Sequence, residues 1–186
     1  VIGPGLGQSA WSQEMLSTAL QYQIPTVLDA DALNLLALHP EWLPINHTQL
    51  IITPHPGEAS RLLEQATSQV EENRLESAHR LSAKYKATVI LKGSGSLVAH
   101  FNGTLKVCPY GNPGMASGGM GDVLSGVLGG LLAQRLEIST VVELAVCLHA
   151  AAGDILVNEA GERGLLASDL IPVVRALLNK KLTPPP

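Results

Sequence analysis

The sequence predicts an α/β fold: a mostly parallel sheet with helices on both faces, closed by a late antiparallel strand pair. Three observations carry this. Strand-like runs at Thr26–Leu28, Gln49–Thr53 and Thr88–Leu91 alternate with helical patterns, as in successive βαβ units. Aromatic residues are only 3% of the chain while hydrophobic residues are 46%, so the core must be built from Ala, Val, Leu and Ile, which suits helices stacked on a parallel sheet. Each of the three strand runs also ends in polar or glycine-rich residues, "DADALN", "PHPGEA" and "KGSGS", and open α/β sheets bind ligands at the carboxyl ends of their strands.

The remaining elements follow in order. Helical patterns lie at Ser12–Tyr22, Gly57–Gln65, Glu71–Tyr85, Gly119–Gln134, Thr140–Asn158 and Asp169–Lys181, with a short helix after Asp31. Two further strand runs, Leu97–Phe101 and Leu105–Cys108, flank "HFNGT", a hairpin turn in which Asn102 and Gly103 are expected to supply positive φ angles. Ser168-Asp169 reads as a helix cap, His149 on an apolar helix reads as a core histidine, and "LTPPP" reads as a frayed terminus. With 186 residues, no internal repeat and no linker, residues 1–186 are expected to form one domain. The opening "VIGPGLG" reads as the end of a strand, so the natural protein is expected to carry earlier strands and the domain is read as incomplete at its amino terminus.

Composition narrows the function classes. A net charge of −4 argues against nucleic acid, which needs a basic face. Cys108 and Cys147 form no CxxC pair and read as reduced core thiols of a cytoplasmic protein. No signal-peptide pattern opens the chain and no apolar run reads as long enough to span a bilayer, so no membrane partner is expected.

The most informative stretch is "NPGMASGGMGDVLSG", Asn112 to Gly126. A helix N-terminus leaves free N–H groups and about half a positive charge, which is a ready anion site. Gly118, Gly119 and Gly121 let phosphate oxygens approach the backbone. Asp122 follows in the first helical turn, where a carboxylate beside a bound phosphoryl group could take a proton from an attacking hydroxyl. A glycine-rich cap for close helix packing, with Asp122 merely capping, fits the same residues. The common phosphate motifs are missing: no GxxxxGK[ST] occurs, and "GPGLGQ" has Gln8 where the dinucleotide fingerprint needs its third glycine.

Together "VIGPGLG", "LDADALNLL", "ITPHPGEASRLL", "VILKGSGS" and "GNPGMASGGMGDVLSGVLGGLLAQ" resemble the ADP-dependent NAD(P)H-hydrate dehydratases, ribokinase-like three-layer α/β sandwiches often fused behind an epimerase domain. The likeness covers nearly the whole chain. It implies a hydro-lyase that repairs hydrated NADH or NADPH, with ADP as co-substrate, AMP and phosphate as products, and Mg²⁺ alongside ADP. It implies homo-oligomers, a tetramer among them, and an epimerase domain as fused or separate partner. On that resemblance Asp122 is the catalytic base and touches substrate. Lys92, Gly93, Ser94, Gly95 and Ser96 form the nucleotide loop, with Gly119 and Gly121 at the phosphates. His55, Gly5 and Gly7 line the hydrated dinucleotide.

Plainer readings stand beside these. Lys92 could be a solvated side chain at a turn, His55 a surface histidine between Pro54 and Pro56, and Gly5 and Gly7 parts of a strand–helix turn. Glu58 reads as support for the helix start that follows it. Asp29 and Asp31 could hold Mg²⁺ through water, or Asp31 could cap the next helix. A vitamin-precursor kinase of the same fold is the rival function, and a non-catalytic nucleotide-binding module is a second one. The "NPGMASGG" lead-in and "PHPGE" favour the dehydratase.

Overall fold

The protein was analysed as a computed structural model that describes residues 1–43 and 49–179. The proline tail and the last residues of the Asp169–Lys181 helix lie outside the described residues. The chain divides into two compact units.

The first unit comprises Val1–Gly93 and Leu97–Lys106. Its strands are β1 (Thr26–Leu28), β2 (Leu50–Ile52), β3 (Thr88–Leu91) and β4 (Leu97–Ala99), and β5 (Leu105–Val107) begins in it. They form one sheet in the order β1-β2-β3-β4-β5. β1–β2 and β2–β3 are parallel, in the register Val27↔Ile51 and Ile52↔Val89, and β3–β4 is antiparallel, with Ile90 opposite Val98. The expected late antiparallel pair is therefore present. Ile2 makes an isolated parallel bridge to Leu28.

Helices α1 (Ala10–Ala19), α2 (Asp31–Leu38), α3 (Pro56–Leu63), α4 (Thr67–Glu72) and α5 (Arg74–Tyr85) complete this unit. Leu16, Leu28, Leu33, Leu36, Ile52, Leu62, Leu81 and Val89 meet in one buried cluster, with Tyr85 as its aromatic member. The Tyr85 hydroxyl donates to the Leu62 carbonyl at 3.0 Å, as a buried phenol requires. Burial pushes its pKa up to about 12.

Two local expectations are corrected. The Glu71–Tyr85 pattern is two helices, broken at Asn73, whose backbone leaves the helical region (φ −128°, ψ 52°). In the hairpin only Gly103 takes positive φ (+88°). Asn102 instead accepts the Thr104 N–H on Oδ1 at 2.9 Å, a side-chain turn that makes a second left-handed residue unnecessary.

The second unit comprises Ser94–Ser96 and the chain from Val107 onward. A short 3-10 turn, Pro113–Met115, leads to α6 (Met120–Leu132), α7 (Ile138–Ala160) and α8 (Ala167–Leu178), which pack on one another. α7 corrects the reading that no run could span a bilayer: its 23 residues are long and apolar enough by length and composition. His149 and Asp154 interrupt its apolar run, which makes the run read as shorter than the helix. Val141, Val142, Ala145, Val146 and Ala150 to Gly153 are buried, so the helix serves as a core element of this unit. His149 is 9% exposed, in keeping with a core histidine. Cys108 is buried and unoxidised, Cys147 half-buried and unoxidised. Burial pushes the Cys108 thiol up to about 12. At α8, Asp169 accepts the Leu166 N–H on Oδ2 at 2.9 Å. The cap thus works from the third helical position, and Ser168 lies inside the helix.

Candidate functional site

In the first unit the site is built at the carboxyl ends of β1, β2 and β3. β1 ends in Asp29, and Ala30 then takes φ +49°, ψ −119°. A non-glycine residue there costs on the order of 1–3 kcal/mol and persists only where neighbours enforce it. Gly3 is one such neighbour: a Cβ at that position would lie 1.7 Å from the Asp29 carbonyl oxygen. The glycine turn after Gly3 is held by Asp31, whose Oδ2 accepts the Gly7 N–H at 2.8 Å. Gly5 and Gly7 both have positive φ, +65° and +73°. Asp31 therefore fastens the "GPGLG" turn rather than capping α2.

β2 ends in the "TPHPGE" loop, and His55 is the N-cap of α3. Its Nδ1 accepts the Gly57 N–H at 3.0 Å, while Glu58 Oε2 accepts the His55 N–H at 2.8 Å. This reciprocal capping box fixes the ring more firmly than the flanking prolines do. Because Nδ1 is an acceptor, Nε2 carries the proton, and it lies 3.4 Å from Glu58 Oε1. Burial, opposed by Glu58 and helped by Lys92 and Arg61, holds the imidazole below its usual protonation range. The ring is half exposed and thus able to touch a ligand. The helix-supporting role read for Glu58 is present.

β3 ends in Lys92, whose N–H donates to the Pro54 carbonyl at 2.8 Å. Its ammonium lies 2.7 Å from Asp29 Oδ1 and 3.7 Å from Glu58 Oε2. The two carboxylates are buried, and Lys92 is only one-fifth exposed. Lys92 is therefore not a solvated turn residue. One cation serves two anions, a cluster that composition and spacing did not reveal. Gly93 (φ +138°) follows, where a Cβ would meet the Arg74 guanidinium at 3.1 Å. Asn34 Oδ1 accepts from Arg61 Nε at 2.8 Å.

In the second unit, Gly95 has φ +65°, and the Ser96 carbonyl accepts the Cys108 N–H at 2.9 Å. Gly119 (φ +86°) is the N-cap of α6, with no side-chain hydrogen bond at the cap. A Cβ there would press on Ala167 Cβ at 3.2 Å, so glycine serves both the left-handed turn and a close approach. The first-turn N–H groups of α6 meet the requirement of an anion site. Gly121 and Asp122 lie in that turn. The Asp122 carboxylate borders a cavity of about 450 Å³ lined by Val123, Gly126, Val127, Ile171 and Val174. Asp122 itself is solvent-exposed, beside an apolar wall.

The structure thus brings Asp29, His55, Glu58 and Lys92 together in one unit, and Gly119, Gly121 and Asp122 in the other. Asp29 is engaged by Lys92 and Asp31 by Gly7 N–H, so these two do not pair as a metal site. Among the described residues no group of three or more His, Cys, Asp or Glu could hold a metal. Sequence reasoning passed over Gly3, the role of Asp29 as lysine partner, and Asp154. The last had a legible signal, a carboxylate inside an otherwise apolar helix.

Comparison with known proteins bears on the same residues. The family described as NAD(P)H-hydrate dehydratase matches residues 1–175. A bifunctional NAD(P)H-hydrate repair enzyme of Coxiella burnetii is 49% identical over 96% of this chain and 36% of its own length. An ADP-dependent (S)-NAD(P)H-hydrate dehydratase of Neisseria meningitidis is 40% identical over 97% of this chain and 62% of its own. An ADP/ATP-dependent NAD(P)H-hydrate dehydratase of Bacillus subtilis, co-crystallised with ATP/Mg²⁺, superposes with a TM-score of 0.87 at 30% identity, over 96% of this chain and 63% of that one. The chain therefore spans about a third of the bifunctional relative and under two thirds of the others. The fold is ribokinase-like and α/β, as the resemblance implied. The chain belongs to the NAD(P)H-hydrate dehydratase family.

Proposed function

We propose that this chain carries ADP-dependent dehydration of the (S)-hydrates of NADH and NADPH, releasing AMP and phosphate. The observation that carries the reading is Asp122 in the first turn of a helix whose glycine N-cap leaves backbone N–H groups for an anion. Hydroxide is a poor leaving group at neutral pH. In the proposed sequence Asp122 takes the proton of the ring hydroxyl and that oxygen attacks the β-phosphorus of ADP, expelling AMP. The ring nitrogen's lone pair then expels phosphate to give an iminium ion, and loss of a proton from the adjacent ring carbon restores the dihydronicotinamide. The N–H groups around Gly119 to Gly121 stabilise the charge of the transferring phosphoryl group.

Lys92, Gly93, Ser94, Gly95 and Ser96 take the nucleotide. Gly5, Gly7 and His55 take the hydrated dinucleotide, the imidazole held by its capping bonds. Mg²⁺ accompanies the nucleotide and is held chiefly by its phosphates, since Mg²⁺ keeps water and phosphate oxygens in preference to an all-protein cage. The reading extends to a cytoplasmic homo-oligomer working with an epimerase domain, fused or separate; the bifunctional relatives support the fused form. Family membership over residues 1–175 supports the dehydratase reading.

The test measures phosphate release from ADP with and without hydrated NADH, for the natural full-length protein and its Asp122→Asn variant. Release should depend on the hydrate and fall ~10²–10⁴-fold in the variant, with AMP affinity retained. Phosphorylation of a stable alcohol without release of free phosphate would replace the reading with a kinase. A variant keeping more than about a tenth of the rate would remove Asp122 from the base role.

A further inference from the structure

We infer that Asp154 is the positioning residue that sets the anion-binding turn before Asp122. α7 presents Asp154 toward the segment that enters α6. Its Oδ2 accepts the Gly111 N–H at 2.9 Å and its Oδ1 accepts Asn112 Nδ2 at 2.7 Å. Gly111 sits at φ +113°, a conformation open to glycine and strained for other residues. Asn112 turns its amide to donate to Asp154 and leaves its own Oδ1 buried without a hydrogen-bond partner. A buried acceptor left unsatisfied costs about 1–3 kcal/mol, so the bond to Asp154 dictates the orientation of that side chain.

The residue before Asp154 reinforces the clamp. A Cβ on Gly153 would lie 2.4 Å from Met115 Sδ, so the 3-10 turn rests directly on the α7 backbone. Further along, the Ser117 hydroxyl donates to the Leu165 carbonyl at 3.1 Å, and Gly119 approaches Ala167. These last two contacts hold the downstream end of the segment, and Asp154 is the charged group that holds its start. Glycines at 111, 114, 118 and 119 make the segment intrinsically loose, so its geometry depends on such anchors. A displacement of about 1 Å in a phosphoryl-binding turn is enough to cost ~10²-fold in rate.

The experiment compares Asp154→Leu, which removes both acceptors at similar size, with Asp154→Asn, which keeps both bonds without the charge once the Asn112 amide reverses. The kinetic arm rests on the dehydratase reading and is run in the full-length protein below the melting point of each variant. Asp154→Leu should lose ~10²-fold in kcat, with KM for ADP moving by less than about threefold. Asp154→Asn should stay within about tenfold of the natural protein.

An arm independent of activity measures amide hydrogen exchange. Residues 111–122 should exchange faster in Asp154→Leu, and their protection should return in Asp154→Asn. Unchanged exchange in that segment overturns the inference, as does an Asp154→Asn variant as impaired as Asp154→Leu. If the natural protein shows no turnover, the dehydratase reading falls and the exchange arm alone decides the role of Asp154. Should Asp154→Leu fail to fold, Asn112→Ala takes its place, with the same expected loss of protection.

Discussion

Replacing Lys92 by Met tests the cluster that composition hid. The ammonium lies 2.7 Å from Asp29 and 3.7 Å from Glu58, and both carboxylates are at least nine-tenths buried. Methionine fills a similar volume but leaves two buried anions without their cation. Breaking a buried pair by removing one partner costs about 3–5 kcal/mol. Here the residual hydrogen bonds from Ala30 N–H to Asp29 and from His55 N–H to Glu58, both under 3 Å, compensate in part, so the lower figure, about 3 kcal/mol, applies. At roughly 2–4 °C per kcal/mol for a chain of this size, Tm should fall by roughly 6–12 °C at pH 7. The sign of the pH dependence follows from the stranded carboxylates. A buried carboxylate that has lost its cation takes up a proton more readily than one that keeps it, so the variant's deficit relative to the natural protein shrinks between pH 7 and pH 4.5. Thermal unfolding of both proteins at the two pH values is the measurement. A Tm within 2 °C of the natural protein at pH 7, or a deficit that grows on acidification, would refute the argument that Lys92 neutralises this pair.

Two further outcomes are expected. Because the His55 imidazole is held below its usual protonation range and its Nδ1 accepts Gly57 N–H, the folded state binds fewer protons there than the unfolded chain. Its contribution is complete above the unfolded value of about 6.5 and is lost as pH falls through the lower folded value. The urea midpoint should therefore drop between pH 7.5 and 5 with a slope that His55→Asn, which retains the cap, removes. An unchanged slope in that variant argues against this assignment. Burial pushes the Cys108 thiol up to about 12, so alkylation of the native protein at pH 8 should label Cys147 first and leave Cys108 intact; rapid native labelling of Cys108 would contradict its burial.

Short-range rules control everything that is legible in the chain alone. The periodic apolar runs located every strand to within about two residues, because alternation and burial are local properties. The glycine at the N-cap of α6 and the aspartate in its first turn were legible for the same reason: helix-end chemistry is complete within four residues. The capping role of Glu58 was legible too. Tertiary structure decided the partners. Lys92 and Asp29 are 63 positions apart, and Asp154 and Asn112 are 42 apart. Taken alone, Lys92 reads as a solvated turn residue and Asp29 as half of a carboxylate pair for Mg²⁺. Asp31 reads as a helix cap and is a tether for Gly7, because the turn after Ile2 returns beside the end of β1. α7 was legible as one helix over Thr140–Asn158, but the contacts of Asp154 with Gly111 and Asn112 were not. A charge or amide selects its partner from whatever the packed strands and helices bring within about 3 Å, and no local pattern in the chain encodes that choice.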